Sequence, residues 1–174
     1  PARPIQLATG SGSAITMTTE YPHGLTAGDT VLITGAEEIS QHTPTGAAYD
    51  PVTGMFTITQ NGHGFQVGEE VFFAEGSFTL RCALNSYADD HPYPRSTDPA
   101  GGGARLPIIS KTANTYVVDV GTSTNTSAHN VTAIATNAVS HVDTSNGYNG
   151  TYKITSATDF TFSYTGGASV TQSP

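Results

Sequence analysis

The chain has 174 residues, of which 6 are lysine or arginine and 14 are aspartate or glutamate, so its formal net charge is −8. So few cations exclude a nucleic-acid binder that works by neutralising phosphates. No apolar run reaches the roughly 18 residues that cross a bilayer, and a single cysteine, Cys82, excludes an internal disulfide framework. We therefore predict no nucleic-acid partner and no membrane partner.

Short runs of strand-forming residues recur along the chain. Threonine occurs 28 times, and with Val, Ile, Tyr and Phe it suits the half-buried surface of a strand. Turn sequences such as Asn61-Gly62 separate the runs. In chain order the predicted strands are 14–18, 30–33, 55–59, 70–73, 77–82, 106–110, 115–120, 131–135, 150–154 and 159–164. About ten short strands predict an all-β fold of small barrels or sandwiches.

Three stretches are predicted to lie outside these strands. Residues 1–12 have little apolar content and form an N-terminal arm, which either orders against a neighbouring molecule or frays. Residues 169–174 form a C-terminal tail. The segment from Asn85 to Arg105 is rich in polar residues, proline and glycine, and it is predicted to be a long loop without regular structure.

A repeat runs through the chain in an unusual order. The segment His23–Ile33 matches His63–Phe73 at an offset of 40, with the histidine, both glycines and a valine in common. Further along, Thr112–Val120 matches Ser156–Tyr164 at an offset of 44. Two opening segments thus precede two closing segments, whereas tandem units would alternate them.

The simplest explanation is that one β module lies inside a loop of the other. The outer module would be residues 13–44 plus 136–168, and the inserted module would be residues 45–135. Exposed turns tolerate insertions of this kind. A strand-swapped pair of modules would give the same order, and the sequence leaves that arrangement open. The predicted fold is all-β, with two small antiparallel barrel or sandwich modules, one inserted in a loop of the other.

The two equivalent histidines precede glycine in predicted turns. We expect the imidazoles of His23 and His63 to hydrogen-bond the turn backbone while their rings cover the barrel edge. Cys82 lies in an alternating strand and is predicted to be a small buried side chain. No spacing of histidines, cysteines and acids matches a catalytic or metal-binding motif, so we predict no catalytic residue, no metal site and no cofactor.

The long loop holds the candidate interface residues. Tyr87, Tyr93, Arg95 and Asp98 lie in a segment stiffened by three prolines, and Tyr and Arg are residue types that anchor protein interfaces. We therefore expect them to contact a neighbouring subunit or a capsid protein. The alternative is an internal cap, in which Arg95 pairs with Asp90 or Asp98 and the loop folds back on its own barrel.

Both modules carry patterns that resemble those of phage virion proteins. The outer pattern consists of Pro22–Leu25, Gly28–Gly35, Asn149–Ile154 and Phe160–Phe162. It resembles a module common in phage tail and virion proteins. It is also similar to the small β-barrel of the first catalytic-cysteine half-domain of ubiquitin-activating enzymes, a similarity that implies fold only. The inserted module, through Phe78–Cys82 and Asp90–Pro99, resembles a repeat of marine phage structural proteins.

The resemblance implies a non-enzymatic structural protein of a phage virion, assembled in the bacterial host cytoplasm. Our first expectation is a capsid decoration or cement protein on the outer shell, because the chain is small, acidic and rich in threonine. The alternatives are a tail-fibre or tail-tip module that binds host glycans, and a hydrolase of surface polysaccharide. The expected partners are the major capsid or tail proteins and further copies of the chain, in a homo-oligomer for which a trimer is the first expectation.

Overall fold

The computed structural model describes residues 3–86, 89–144 and 148–166, and this part of the chain is built from β-strands with one short 3-10 turn. The chain divides into two compact units. The outer unit comprises Pro1–Glu38 and Thr144–Pro174, and the inserted unit comprises Ile39–Asp143. The prediction of an all-β fold with one module inserted in a loop of the other is confirmed.

The strands form two sheets in which the neighbouring strands run antiparallel wherever their register is defined. Within the described residues they are β1 (Ile5–Ser11), β2 (Ala14–Thr19), β3 (Thr30–Ile33), β4 (Glu38–His42), β5 (Gly46–Tyr49), β6 (Met55–Thr59), β7 (Glu70–Phe73), β8 (Phe78–Cys82), β9 (Asp90–Tyr93), β10 (Leu106–Lys111), β11 (Thr115–Asp119), β12 (His129–Ile134), β13 (Val139–Asp143), β14 (Gly150–Ala157) and β15 (Thr161–Thr165). The 3-10 turn, Ala83–Asn85, follows β8.

The outer unit is a curled sheet with the order β1-β2-β15-β14-β3 over the described residues. Its strands form because apolar residues alternate with polar ones, which places one apolar face on the core. Ile15 and Met17 of β2 lie opposite Tyr164 and Phe162 of β15, and all four side chains are buried. Burying a large apolar side chain stabilises the fold by about 1.5–3 kcal/mol.

The inserted unit is a larger curled sheet with the order β4-β13-β7-β10-β11-β6-β5-β12-β8-β9 over the described residues. Aromatic rings dominate its core. The Phe56 ring centroid lies 4.9 Å from that of Phe78 and 6.1 Å from that of Phe73, both in edge-to-face geometry. Val118 of β11 lies opposite Phe56 on the neighbouring strand. This unit therefore closes a core of its own from residues within 39–143.

The repeat is present in the structure, but the closing halves align two residues away from the predicted offset of 44. Ile15 of β2 and Phe56 of β6 are equivalent, because each is the first fully buried residue of the strand that precedes a His-Gly turn. Ile15 lies opposite Tyr164 in the outer unit, and Phe56 lies opposite Val118 in the inserted unit. Tyr164 and Val118 are 46 positions apart. The predicted alignment matched Phe160 with Tyr116, yet Phe160 is 47% exposed and Tyr116 is fully buried.

Turn chemistry explains the correct offset. In the outer unit, the Thr158 hydroxyl accepts a hydrogen bond from the Thr161 backbone N–H at 3.1 Å. In the inserted unit, Thr112 and Thr115 form the same turn at 3.0 Å. Two threonines three residues apart therefore define each hairpin. The offset of 44 aligns aromatic residues instead, and it does not superimpose these two threonine turns.

The N-terminal segment is a strand over much of the predicted arm. β1 pairs with β2 from Ile5 opposite Thr19 to Ser11 opposite Ala14, with one irregularity of register between Ile5 and Leu7. Gly12, with φ of 61°, forms the tight turn between them. Backbone pairing rather than deep burial holds this strand, which is why its weak apolar content was misleading: Ile5 is still 39% exposed.

The inserted unit is longer at both ends than residues 45–135. β4 and β13 are neighbours in its sheet, and β13 pairs with β7 from Val139 opposite Phe73 to Val142 opposite Glu70. The polar centre of β13, Ser140-His141, hid this strand in the sequence. The predicted tail, 169–174, lies outside the described residues.

Candidate functional site

Three of the four predicted interface residues line one groove of the inserted unit. Tyr93 from the end of β9 lines it together with Arg95 and Asp98, and its volume is about 430 Å³. The predicted loop is partly regular, because β9 pairs with β8 from Tyr93 opposite Phe78 to Asp90 opposite Arg81. Tyr87 lies outside the described residues.

Arg95 and Asp98 close a tight turn beside the groove. The Asp98 carboxylate accepts hydrogen bonds from Arg95 Nη2 at 2.7 Å, Nε at 3.1 Å and the backbone N–H at 2.8 Å. Burial raises the pKa of Asp98, but these donors outweigh it and hold the pKa below its ordinary value. The Arg95 side chain is 62% exposed. Arg95 therefore pairs with Asp98, which is one of the two pairings expected if the loop is an internal cap.

Tyr93 packs inward from the same turn. Its ring is stacked with that of Tyr49 at 6.3 Å and lies 5.9 Å from that of Phe56, between ring centroids. Burial is the largest cause that raises the pKa of its phenol. Tyr93 is therefore a partly buried member of its own unit's core, whereas the exposed guanidinium of Arg95 remains accessible to a partner.

The opposite wall of the groove combines aromatic and polar groups. The Tyr49 hydroxyl donates to the Gly121 carbonyl at 2.8 Å, and the His129 ring stands edge-on to Tyr49 at 5.8 Å. Cys82 is buried, as predicted, and its Sγ also accepts a hydrogen bond from the Asn125 amide at 2.8 Å. Aromatic faces beside amide and imidazole groups can hold a flat ligand such as a sugar ring or a partner's side chain.

The two repeat histidines fulfil their predicted role. His23 Nδ1 accepts from the Leu25 backbone N–H at 3.0 Å, and His63 Nδ1 accepts from that of Phe65 at 3.1 Å. The His23 ring meets Phe162 edge-on at 5.4 Å between centroids. Each histidine therefore fixes its turn and covers the apolar edge of its own sheet.

Sequence reasoning missed a buried cluster behind His63. His141 of β13 contacts Glu69 at 2.7 Å between Nε2 and Oε2, and its ring stacks on Phe65 at 3.8 Å between centroids. The His42 ring stands edge-on to His141 at 6.2 Å. Glu69 occupies the repeat position of Asp29, and each carboxylate accepts from the backbone N–H three residues before it, so the repeat gave no signal of the His141 contact.

This cluster predicts acid sensitivity. Burial, then the charges of His141 and His63, lower the pKa of His42 below its ordinary value of 6.5. The unfolded chain therefore binds this proton more readily, so the contribution of neutral His42 is present above about pH 6.5 and is lost as the pH falls towards the lower folded pKa. We expect the urea midpoint to fall between pH 7 and pH 5, and His42→Asn to flatten that dependence.

The matched control is His91→Asn, which changes an exposed histidine of the same unit. It should leave the pH dependence of the urea midpoint as steep as in the unmodified chain. Equal slopes for all three proteins would contradict the assignment to His42.

In residues 3–86, 89–144 and 148–166, no group of three or more His, Cys, Asp or Glu side chains is arranged to hold a metal ion. The described part of the chain also contains no helix long and apolar enough to cross a membrane. Comparison with known proteins gave no matching family, no matching curated protein and no matching solved structure.

Proposed function

We propose that the chain is a non-enzymatic structural protein of a phage virion, and that it decorates or cements the outer capsid shell. The main support is that two virion-type sequence patterns each belong to one unit of the fold. Pro22–Leu25 and Asn149–Ile154 lie in the outer unit, and Asp90–Pro99 lies in the inserted unit. The proposed partners are capsid proteins and other copies of the chain.

The pattern Asp90–Pro99 provides the proposed contact surface. Two ion pairs order it: Arg81 binds Asp90 through Nε and Nη2 at 2.5 and 2.8 Å, and Arg95 binds Asp98. An ordered surface loses less conformational entropy on binding than a flexible loop does. We propose that the exposed guanidinium of Arg95 binds an acidic or carbonyl group of the shell.

Location on the particle tests the proposal directly. Virions would be labelled with an antibody raised against the purified chain and viewed by negative-stain electron microscopy. We expect label over the capsid surface. Label restricted to the tail would favour the fibre alternative, and purified virions without label would overturn both virion functions.

A pair of substitutions tests the contact surface. Arg95→Ala should weaken binding of the chain to purified shells at least about tenfold, because a buried charged contact is costly to break. Its melting temperature should fall by only a few degrees, since the guanidinium is 62% exposed and the mostly buried Asp98 carboxylate keeps the hydrogen bond from the backbone N–H of residue 95.

Arg105→Ala is the matched control because it removes a guanidinium from an exposed ion pair, with Glu70, that lies in the same unit but outside Asp90–Pro99. It should bind shells like the unmodified chain. If both variants bind equally well, or if binding follows melting temperature alone, Arg95 is part of an internal cap and not of an interface.

The groove gives one reason to retain glycan binding as the second function. The side chains of Tyr49, His129 and Asn125 line it together, and aromatic rings beside an amide suit sugar rings. Titration of monosaccharides against the chain, followed by NMR shifts of His129, would support this function. An unchanged His129 spectrum at high sugar concentration would count against it.

A further inference from the structure

The two units share a common five-strand arrangement but differ in what lies beyond it. In the outer unit the order is β1-β2-β15-β14-β3, and in the inserted unit the equivalent order is β5-β6-β11-β10-β7. The inserted unit continues on both sides, with β13 beside β7 and β12 beside β5. Among the described residues, β1 and β3 of the outer unit have no such neighbours and are the edges of their sheet.

The inserted unit therefore shows what covers this kind of edge. β7, the equivalent of β3, pairs with an antiparallel strand in which Ser140 lies opposite Phe72. Phe72 occupies the position of Leu32 in the repeat. In the outer unit, Leu32 is 70% exposed. The same strand position is thus covered in one copy of the repeat and open in the other.

The outer-unit edge also lacks the usual protection against strand pairing. Edge strands are normally guarded by charges or proline, which discourage an incoming strand. The ten-stranded sheet ends on β9, which carries Asp90 and Pro92, and on β4, which begins with Glu38. β3 consists of Thr-Val-Leu-Ile, with neither a charge nor a proline.

A groove lined by apolar residues and by polar ones, Arg3 and His23 among them, lies beside this open edge. It is lined by Ile5 from β1, by Val31 and Leu32 from β3, and by Phe162 from β15, and its volume is about 520 Å³. A further β-strand can pair with the backbone of an open strand edge and cover the exposed apolar surface beside it.

The sequence of the edge indicates which strand. Residues 30–34 are Thr-Val-Leu-Ile-Thr, which is symmetric in chemical type about Leu32. In an antiparallel pair centred on two copies of Leu32, Val31 would face Ile33 on the inner side. Thr30 would face Thr34 on the outer side, next to the Leu32 pair. Inward residues would thus meet inward residues, as the pleat requires.

We propose that β3 of one copy pairs antiparallel with β3 of a second copy about a two-fold axis through Leu32. A two-fold contact uses the same surface on both partners, so a self-complementary strand satisfies it without a second site. β3 has no charged side chain, so the pairing of two copies brings no like charges together. The contact follows from the strand edges and is independent of the virion function proposed above.

Sedimentation of the full chain tests the contact. Pairing of short edges buries little surface, so the dimer should be weak and become populated only as the concentration rises towards about 1 mM. Leu32→Lys should lower the association constant at least tenfold without lowering the melting temperature, because the side chain is already exposed.

Val52→Lys is the matched control, since Val52 is 63% exposed and belongs to the inserted unit. It should dimerise like the unmodified chain. A chain that stays monomeric at the highest concentration, or a Leu32→Lys variant that dimerises normally, would overturn the proposal.

Cross-linking tests the register. The side chains of directly opposed residues lie about 4.5–5.5 Å apart between Cβ atoms, so Leu32→Cys should form a disulfide-linked dimer under mild oxidation. Val52→Cys should not, and both variants retain the buried Cys82. Equal rates for the two variants would mean that collision, rather than β3 pairing, causes the cross-link.

Discussion

Replacing Phe56 with alanine should unfold or severely weaken the inserted unit while the outer unit stays folded. The Phe56 side chain is fully buried and its ring meets those of Phe73, Phe78 and Tyr93. Truncating a buried phenylalanine costs about 3–5 kcal/mol. That cost is a large share of the roughly 5–15 kcal/mol that stabilises a typical domain.

The matched change is Ile15→Ala in the outer unit, because Ile15 occupies the repeat position of Phe56 and is also fully buried. It should cost about 2–5 kcal/mol, confined to the outer unit. Hydrogen exchange followed by mass spectrometry reports each unit through its own peptides. Phe56→Ala should speed exchange in β6 and β11 and leave β2 and β15 protected, and Ile15→Ala should do the reverse.

Loss of protection in both units from either single substitution would contradict this expectation. It would mean that the two cores fold as one cooperative unit, even though the buried residues form two separate clusters.

The nested order could be predicted because it depends on local signals that the chain repeats. The His-Gly turns and the alternating strands after them are short-range features, and the structure places both histidines in the same hydrogen-bonded role. The order of opening and closing segments then allows few topologies. Alternation also accounts for the burial of Ile15, Met17 and Phe56, because a strand with one face on the core has a period of two.

The elements that could not be predicted are held by partners distant in sequence. β1 is an edge strand fixed by backbone pairing, so its side chains carry little pattern. β13 interrupts its alternation with Ser140 and His141 because His141 meets Glu69, which is 72 residues away. The groove is similar: Tyr93 and Tyr49 come together only once β9 and β5 are placed in one sheet. Single-sequence patterns do not contain these long-range pairings.

Deleting the inserted unit should leave a folded outer unit. Each core draws its buried residues from one unit, so removal of residues 39–143 takes no side chain from the outer core. Asn149 also holds the two ends of the outer unit together. Its side chain accepts from the Ala36 N–H at 2.9 Å and donates to the carbonyls of Ala36 and Thr144, each at 2.8 Å. One amide group reaches both sides of the deletion, so a short Gly-Ser link from Glu38 to Thr144 spans it.

The shortened chain should give a β-type circular dichroism spectrum and a cooperative melt. Its melting temperature should lie close to that of the outer unit in the intact chain, because the outer core keeps every one of its buried residues. Asn149→Ala in the same background should lower the melting temperature, because it removes the two hydrogen bonds to Ala36 and the one to Thr144 that join the two ends. A random-coil spectrum would show that the outer sheet needs the inserted unit to fold. An Asn149→Ala variant with an unchanged melting temperature would show that the link alone, and not the side-chain clamp, sets the spacing of the two ends.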